Sequence, residues 1–263
     1  MSLKLNMHKT NNRFLPLLFS FTILIFLSGC KRETEIIPAT SYNYFPVENG
    51  KWIEYSVDSI YHSENDNNND DTVYTFHFQI REEIDSSYND DSGRSIQVIK
   101  RYRRTDSQKP WTLSVVWTQF LSTSIAYRTE DNITYHKLSF PINSSISWNG
   151  NDANTLDEEM YFYDYYHEPA TFNSLNFDST ISIIQIDENN YVEKMYGNEV
   201  YAAGIGLVYK ERDELGKQNG VVVKGLEYRM KVINFVRPRT RSASLSARNS
   251  STSAVPGFLR ADR

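Results

Sequence analysis

The chain has 263 residues, 40% hydrophobic and 23% charged, with a formal net charge of -5 and one cysteine. A single cysteine excludes an internal disulfide and every Cys-x-x-Cys redox or zinc site. The acidic balance excludes a body that binds nucleic acid through a basic footprint.

In chain order, residues 1-29 read as a lipoprotein signal peptide. Lys4, Lys9 and Arg13 form a basic start with no acidic residue before Glu33. The run Leu15 to Leu27 is apolar apart from Ser20 and Thr22. It is shorter than the roughly 20 residues a spanning helix needs, as in a cleaved signal. It ends in Leu27-Ser28-Gly29-Cys30, which resembles the lipobox of lipoprotein signal peptidase. Cleavage is expected between Gly29 and Cys30, with lipid on the Cys30 thiol. Two or three acyl chains anchor stably where one does not, so the mature chain is expected to be tethered by lipid. Loss of Lys4, Lys9 and Arg13 takes the formal charge from -5 to -8. Lys31 stands where an inner-membrane retention signal would place aspartate, which points to the outer membrane, on its periplasmic face or the cell surface. Residues 30-43, with Lys31-Arg32-Glu33-Thr34-Glu35 and then Pro38, read as the lipidated tether.

A single domain is expected over 44-237. Pro46 and Gly50 bracket a turn that delivers Trp52 and Tyr55 to a first strand. Val73 to Ile84 alternates, with Tyr74, Phe76, Phe78 and Ile80 on one face and Thr75, His77, Gln79 and Arg81 on the other. This is the period of a half-buried antiparallel strand. The turn Asn89 to Gly93 and the strand Arg94 to Arg103 complete a hairpin. Trp111 to Phe120, Ile125 to Arg128 and Ile133 to Leu138 follow, the last two around Glu130-Asp131-Asn132. Leu156 to Tyr166 suits a helix through Leu156, Met160 and Tyr163, or a strand through its tyrosines. Thr180 to Ile186, Gly206 to Glu211 and Val221 to Val236 read as strands. In the last, Val222, Leu226, Tyr228, Met230, Val232 and Val236 share a face. Gly204 and Gly206 suit a bulge or a close backbone crossing. Phe76, Phe78, Trp117, Tyr228 and Met230 are expected in the core. Many β segments with few helices indicate an all-β domain, an antiparallel curled sheet or half-barrel. Residues 238-263 are Ser-, Arg- and Ala-rich and read as a disordered basic tail.

The residues that could carry chemistry are few. Asp66-Asn67-Asn68-Asn69-Asp70-Asp71 begins like a calcium loop, but Asp71 replaces its glycine and His77 its bidentate glutamate. His167-Glu168-Pro169 lacks a second histidine at Thr171, and His62, His77 and His136 have no ligand spacing. No nucleophile elbow or phosphate loop is present. Asp157-Glu158-Glu159 lies beside the aromatics of Tyr161 to Tyr166, a pairing that can bind or hydrolyse sugars. No catalytic residue, metal or cofactor is expected.

Three stretches resemble an uncharacterised lipoprotein family of Bacteroidetes. They are Phe45-Pro46-Val47-Glu48-Asn49-Gly50-Lys51-Trp52-Ile53-Glu54-Tyr55, then Trp148-Asn149-Gly150-Asn151, then Tyr201-Ala202-Ala203-Gly204-Ile205-Gly206-Leu207-Val208-Tyr209-Lys210-Glu211. The resemblance implies an envelope location and a mainly antiparallel β domain, similar in shape to the LolA/LolB half-barrels. The expectation is a lipid-anchored, non-enzymatic protein that binds an apolar ligand or docks a protein partner of the envelope. The alternative is a surface protein that binds glycan. Its other partner is the membrane, through the N-terminal lipid.

Overall fold

The computed structural model describes residues 39–64 and 72–236. Gly29 and Cys30, the tether up to Pro38, the Asp66 to Asp71 run and the tail from 238 lie outside the described residues. A 3-10 turn, Ala39–Tyr44, leads into twelve strands: β1 (Trp52–Ser63), β2 (Thr72–Asn89), β3 (Ser95–Arg104), β4 (Thr112–Leu121), β5 (Ile125–Glu130), β6 (Ile133–Ser139), β7 (Ser147–Asn149), β8 (Met160–Phe172), β9 (Leu175–Asn189), β10 (Glu193–Ala202), β11 (Gly206–Gln218) and β12 (Val221–Phe235).

All twelve form one antiparallel sheet of order β6-β5-β4-β3-β2-β1-β12-β11-β10-β9-β8-β7. Every strand but the two at the edges pairs with its chain neighbours, and β1 joins β12. The two edges, β6 and β7, meet. The His136 amide donates to the Gly150 carbonyl at 2.9 Å, and the Trp148 indole donates to the His136 carbonyl at 2.9 Å. The curled sheet thus goes beyond a half-barrel to a nearly closed barrel, the arrangement that leaves fewest unpaired backbone groups at an edge. The segment Leu156 to Tyr166 resolves as turn and strand. Tyr161 and Tyr163 are buried while Met160 and Phe162 are exposed, an alternation that only an extended chain provides.

One pole of the barrel is plugged. Tyr44 and Phe45 are buried there, the Tyr42 hydroxyl donates to the Thr123 carbonyl, and the Gly204 amide donates to the Asn43 carbonyl at 2.7 Å. Gly206 has φ +109 and would place a Cβ 3.0 Å from the Pro46 ring, so the close crossing expected at Gly204-Ile205-Gly206 is present. A register shift between Val200 and Tyr201 leaves Val208 as an extra residue in β11, so the bulge lies just beyond the two glycines and not at them. The described chain also leaves from this pole, where the Val236 amide donates to the Trp52 carbonyl.

At the other pole the wall is uneven. β1, β2 and β12 are 12, 18 and 15 residues long, whereas β5 and β6 have 6 and 7. This corrects the expected core. Trp117 and Met230 are buried, but Phe76 is 50% exposed, and Phe78 and Tyr228 are half-buried. β3 pairs with β2 only from Gln79 onward, so Phe76 rises above the rim with no wall opposite it. Val236 also leaves the expected face of β12. A bulge lies in β12 opposite Glu54 and Tyr55, and one inserted residue inverts the alternation beyond it. Outside, the β8–β9 hairpin folds back across the wall. Phe172 stacks on Tyr209 of β11 at 5.2 Å, and Asn173 donates to the Val232 carbonyl. The outer wall carries ion pairs at mid-strand, Arg81 with Glu83 at 3.2 Å and Arg229 with Glu211 at 2.8 Å. An Arg in that position facing lipid would cost about 2–4 kcal/mol, so this wall faces water.

A charged lumen and its mouth as candidate functional site

Alternation along the strands decides what enters the barrel. Glu82 lies between Ile80 and Ile84 on the inner face of β2, and Glu199 and Tyr201 share the inner face of β10. These side chains build a polar column from the plug upward. The Gln119 amide donates to the Pro46 carbonyl at 2.6 Å and accepts from Arg128 at 2.9 Å. Arg128 also donates to Glu82 at 3.0 Å, and Arg101 faces the same carboxylate at 3.3 Å while lying over the Trp117 ring. Higher up, Lys137 donates to Glu199 at 2.6 Å, and Lys210 stands 3.2 Å from Glu199 and 3.8 Å from Glu130. The Tyr201 hydroxyl donates to the other Glu199 oxygen at 2.6 Å.

Buried charges persist only when paired, and here the pairing is strong. Burial alone would raise the Glu130 carboxyl, but the ammonium groups of Lys210 and Lys137 outweigh it and hold the group to about 2. Burial likewise opposes ionisation of Glu199, and the same two lysines carry it well below the usual carboxylate range. Burial would lower Lys137 and Lys210, yet the facing carboxylates raise both. The column holds four cations, Arg101, Arg128, Lys137 and Lys210, against three carboxylates, Glu82, Glu130 and Glu199.

The column opens at the unplugged pole into a cavity of about 330 Å³. Lys137, Lys210 and Arg212 line it together with the carboxylates of Glu130, Glu159 and Glu214, and Tyr161 and Gln185 lie among them. Arg212 is held by Glu159 at 2.8 Å and Glu214 at 2.9 Å. Gln185 is 95% buried and Tyr161 97% buried, yet neither side chain makes a hydrogen bond among the described residues. Gly197 gives Gln185 and Arg212 room: a Cβ there would lie 2.9 Å from Arg212 and 3.1 Å from Gln185.

The three stretches singled out in the sequence meet around this lumen. Lys51 donates to the Gly204 carbonyl at 3.1 Å and Tyr55 to the Leu207 carbonyl at 3.0 Å, joining the first stretch to the third. The second is the clasp that closes the sheet. A Cβ on Gly150 would fall 2.1 Å from the Tyr161 ring, and the Asn149 carboxamide accepts from Asn151 and Glu159 amides. Of the acidic triplet, Glu159 reaches the mouth, while Asp157 and Glu158 are exposed. The histidines are dispersed. His62 pairs with Glu227, His77 with Asp58, His167 with the Tyr44 hydroxyl and His136 with Asp152. Among the described residues no group of three or more His, Cys, Asp or Glu side chains could hold a metal ion. Sequence reasoning missed Lys137, Gln185, Glu199 and Arg212. The one available signal was charge at alternate strand positions, as in Lys210 and Arg212, which also reads as an exposed face.

No protein-family model and no curated protein matches the chain. Two solved structures are similar. One is of a Bacteroides fragilis NCTC 9343 protein described as exported and of YmcC-like fold, at 15% identity and a TM-score of 0.41. The other is of a Parabacteroides distasonis ATCC 8503 protein described as a lipoprotein, at 10% identity and a TM-score of 0.37. Each alignment covers 73% of this chain and 98% of the other.

Proposed function

We propose that the chain is a lipid-anchored protein of the outer membrane that holds a small polar ligand bearing an anionic group, such as a sugar acid, in the barrel mouth without transforming it. The observation that carries this reading is the pair Gln185 and Tyr161, whose polar groups reach the mouth without a hydrogen-bond partner among the described residues, above a column with one more cation than carboxylate. A polar group at the mouth with no protein partner is open to a hydrogen bond from a ligand, and one to a charged ligand group is the stronger kind. The ionisation states support binding over catalysis. An acid–base catalyst works best with its pKa near the working pH, whereas Glu130 is held to about 2 and Lys137 is raised. An apolar ligand finds little support. The partly open space beside the plug, lined in part by Phe45, Ile53, Ile84 and Leu207, is about 30 Å³, too small for a lipid chain.

A second reading, docking of an envelope protein, is favoured by Tyr61, Tyr74 and Phe76, each about half exposed on the tall wall.

Calorimetric titration of the mature protein with glucuronate, glucose and palmitate tests the ligand. Glucuronate is expected to bind, glucose more weakly, and Tyr161→Phe and Gln185→Leu to weaken glucuronate about tenfold each, one hydrogen bond to a charged group. Palmitate binding without glucuronate binding refutes the polar ligand, and turnover of a bound glycan refutes the absence of catalysis. Cys30→Ala is expected to release the protein into the soluble fraction, and retention in the membrane refutes the anchor.

A further inference from the structure

A second concavity lies on the outer wall and shares no residue with the mouth. It has a volume of about 440 Å³ and crosses β2 to β6. Four inter-strand spacings make it about 19 Å long. Alternation keeps it apart from the lumen. Thr118 and Phe120 of β4 line the groove, while Trp117 and Gln119, which alternate with them, point inward.

The groove pairs aromatic faces with open polar groups. Phe120 and Tyr127 lie 5.0 Å apart at 30°, a shallow platform. The Arg94 guanidinium covers part of it, 4.7 Å over Phe120, and is held there by its Nε donating to Asp90 at 2.6 Å. That bond leaves the two terminal amino groups of Arg94 without a hydrogen-bond partner among the described residues. The Tyr88, Thr118 and Tyr127 hydroxyls are likewise without one. The Thr129 and Thr134 hydroxyls bond each other at 2.9 Å on the far side.

We propose that this groove binds a segment of a glycan chain. A pyranose presents polarised C–H bonds on its faces, which suit the negative face of an aromatic ring. Its equatorial hydroxyls lie at the edge, where Thr118, Tyr88, Tyr127 and Arg94 supply donors and acceptors. A protein interface instead has an apolar core within a polar rim, and here the two kinds of group alternate along the whole length. The groove is open along its wall, so it takes an internal stretch of polymer, whereas the mouth takes a small molecule.

Affinity electrophoresis of the mature protein in native gels containing soluble starch, mannan or polygalacturonate provides the test. Retardation in at least one gel is expected. Tyr88 is 52% exposed and the Arg94 side chain 54% exposed, so Tyr88→Ala and Arg94→Gln are expected to fold and melt like the wild type. Each should weaken the retarding interaction at least about tenfold, the loss of one hydrogen bond, charge-assisted at Arg94. Gln185→Leu in the mouth should leave it unchanged, which separates this site from the mouth. No retardation in any of the three gels overturns the proposal. So does retardation unaffected by both groove variants, or one lost only in Gln185→Leu.

Discussion

Replacing Lys137 by methionine removes one charge from the column and keeps most of the side-chain volume. Lys137 is 4% exposed, 2.6 Å from Glu199 and 3.6 Å from Glu130. Removing one partner of a buried pair costs about 3–5 kcal/mol, because the other charge stays buried without compensation. Lys210 remains 3.2 Å from Glu199, and Tyr201 still donates to it, which places the loss near the lower end, about 3 kcal/mol. For a domain of this size that corresponds to about 6–12 °C in melting temperature. The penalty should depend on pH in a definite direction. In the wild type the depressed carboxyls stabilise the fold above their unfolded pKa of 4.5, and that stabilisation fades as pH falls toward 2. Without Lys137 the carboxyls are less depressed and protonate sooner, so the gap between variant and wild type should narrow below about pH 4.5. Urea unfolding followed by tryptophan fluorescence at pH 7 and pH 4 measures both quantities. A variant as stable as wild type at pH 7 refutes the electrostatic account, as does an equal loss at both pH values. The double variant Lys137→Met with Glu199→Leu should recover part of the loss, since an apolar pair of similar volume needs no compensation.

Three other outcomes are expected. Gly150→Ala drives a methyl into the Tyr161 ring at the clasp and should cost about 1–3 kcal/mol, with faster amide exchange at His136 as the local sign. Burial lowers the His136 pKa against the opposing pull of Asp152, and its Nε2 has no hydrogen-bond partner among the described residues, so the fold disfavours the imidazolium. Its contribution is therefore complete above pH 6.5 and lost as pH falls below that value; unfolding at pH 7.5 and 5.5 should show this slope in the wild type and lose it in His136→Leu. Met230→Ala should cost about 2–5 kcal/mol by thermal melting, and Phe76→Ala much less, because Met230 is 1% exposed and Phe76 is 50% exposed.

Period two in Val73 to Ile84 and in Trp111 to Phe120 was enough to identify an antiparallel sheet, because successive side chains of a strand must point to opposite faces. Gly204-Ile205-Gly206 announced a close crossing, since only a glycine at 206 tolerates both φ +109 and the Pro46 ring. The paired tyrosines around Tyr163 satisfied two periods at once, and the pairing of Tyr163 with Ile183 decided between them. What the pattern could not show is where the wall ends. Phe76 and Ile80 fall on the same face, yet Ile80 faces β3 across the sheet and Phe76 rises above it. The functional candidates were hidden for the same reason. Lys137, Glu199 and Lys210 are separated by up to 73 residues in sequence, and each alone reads as a charge on a solvated face. Alternation assigns a side chain to one of two faces, but only closure of the sheet makes one face an interior. Closure rests on the contact of β6 with Gly150, and no local property of either segment encodes it. The sequence by itself therefore determined the strands and the all-β class. The tertiary structure alone decided that the inner face is charged, that its charges pair, and that the column opens at one pole.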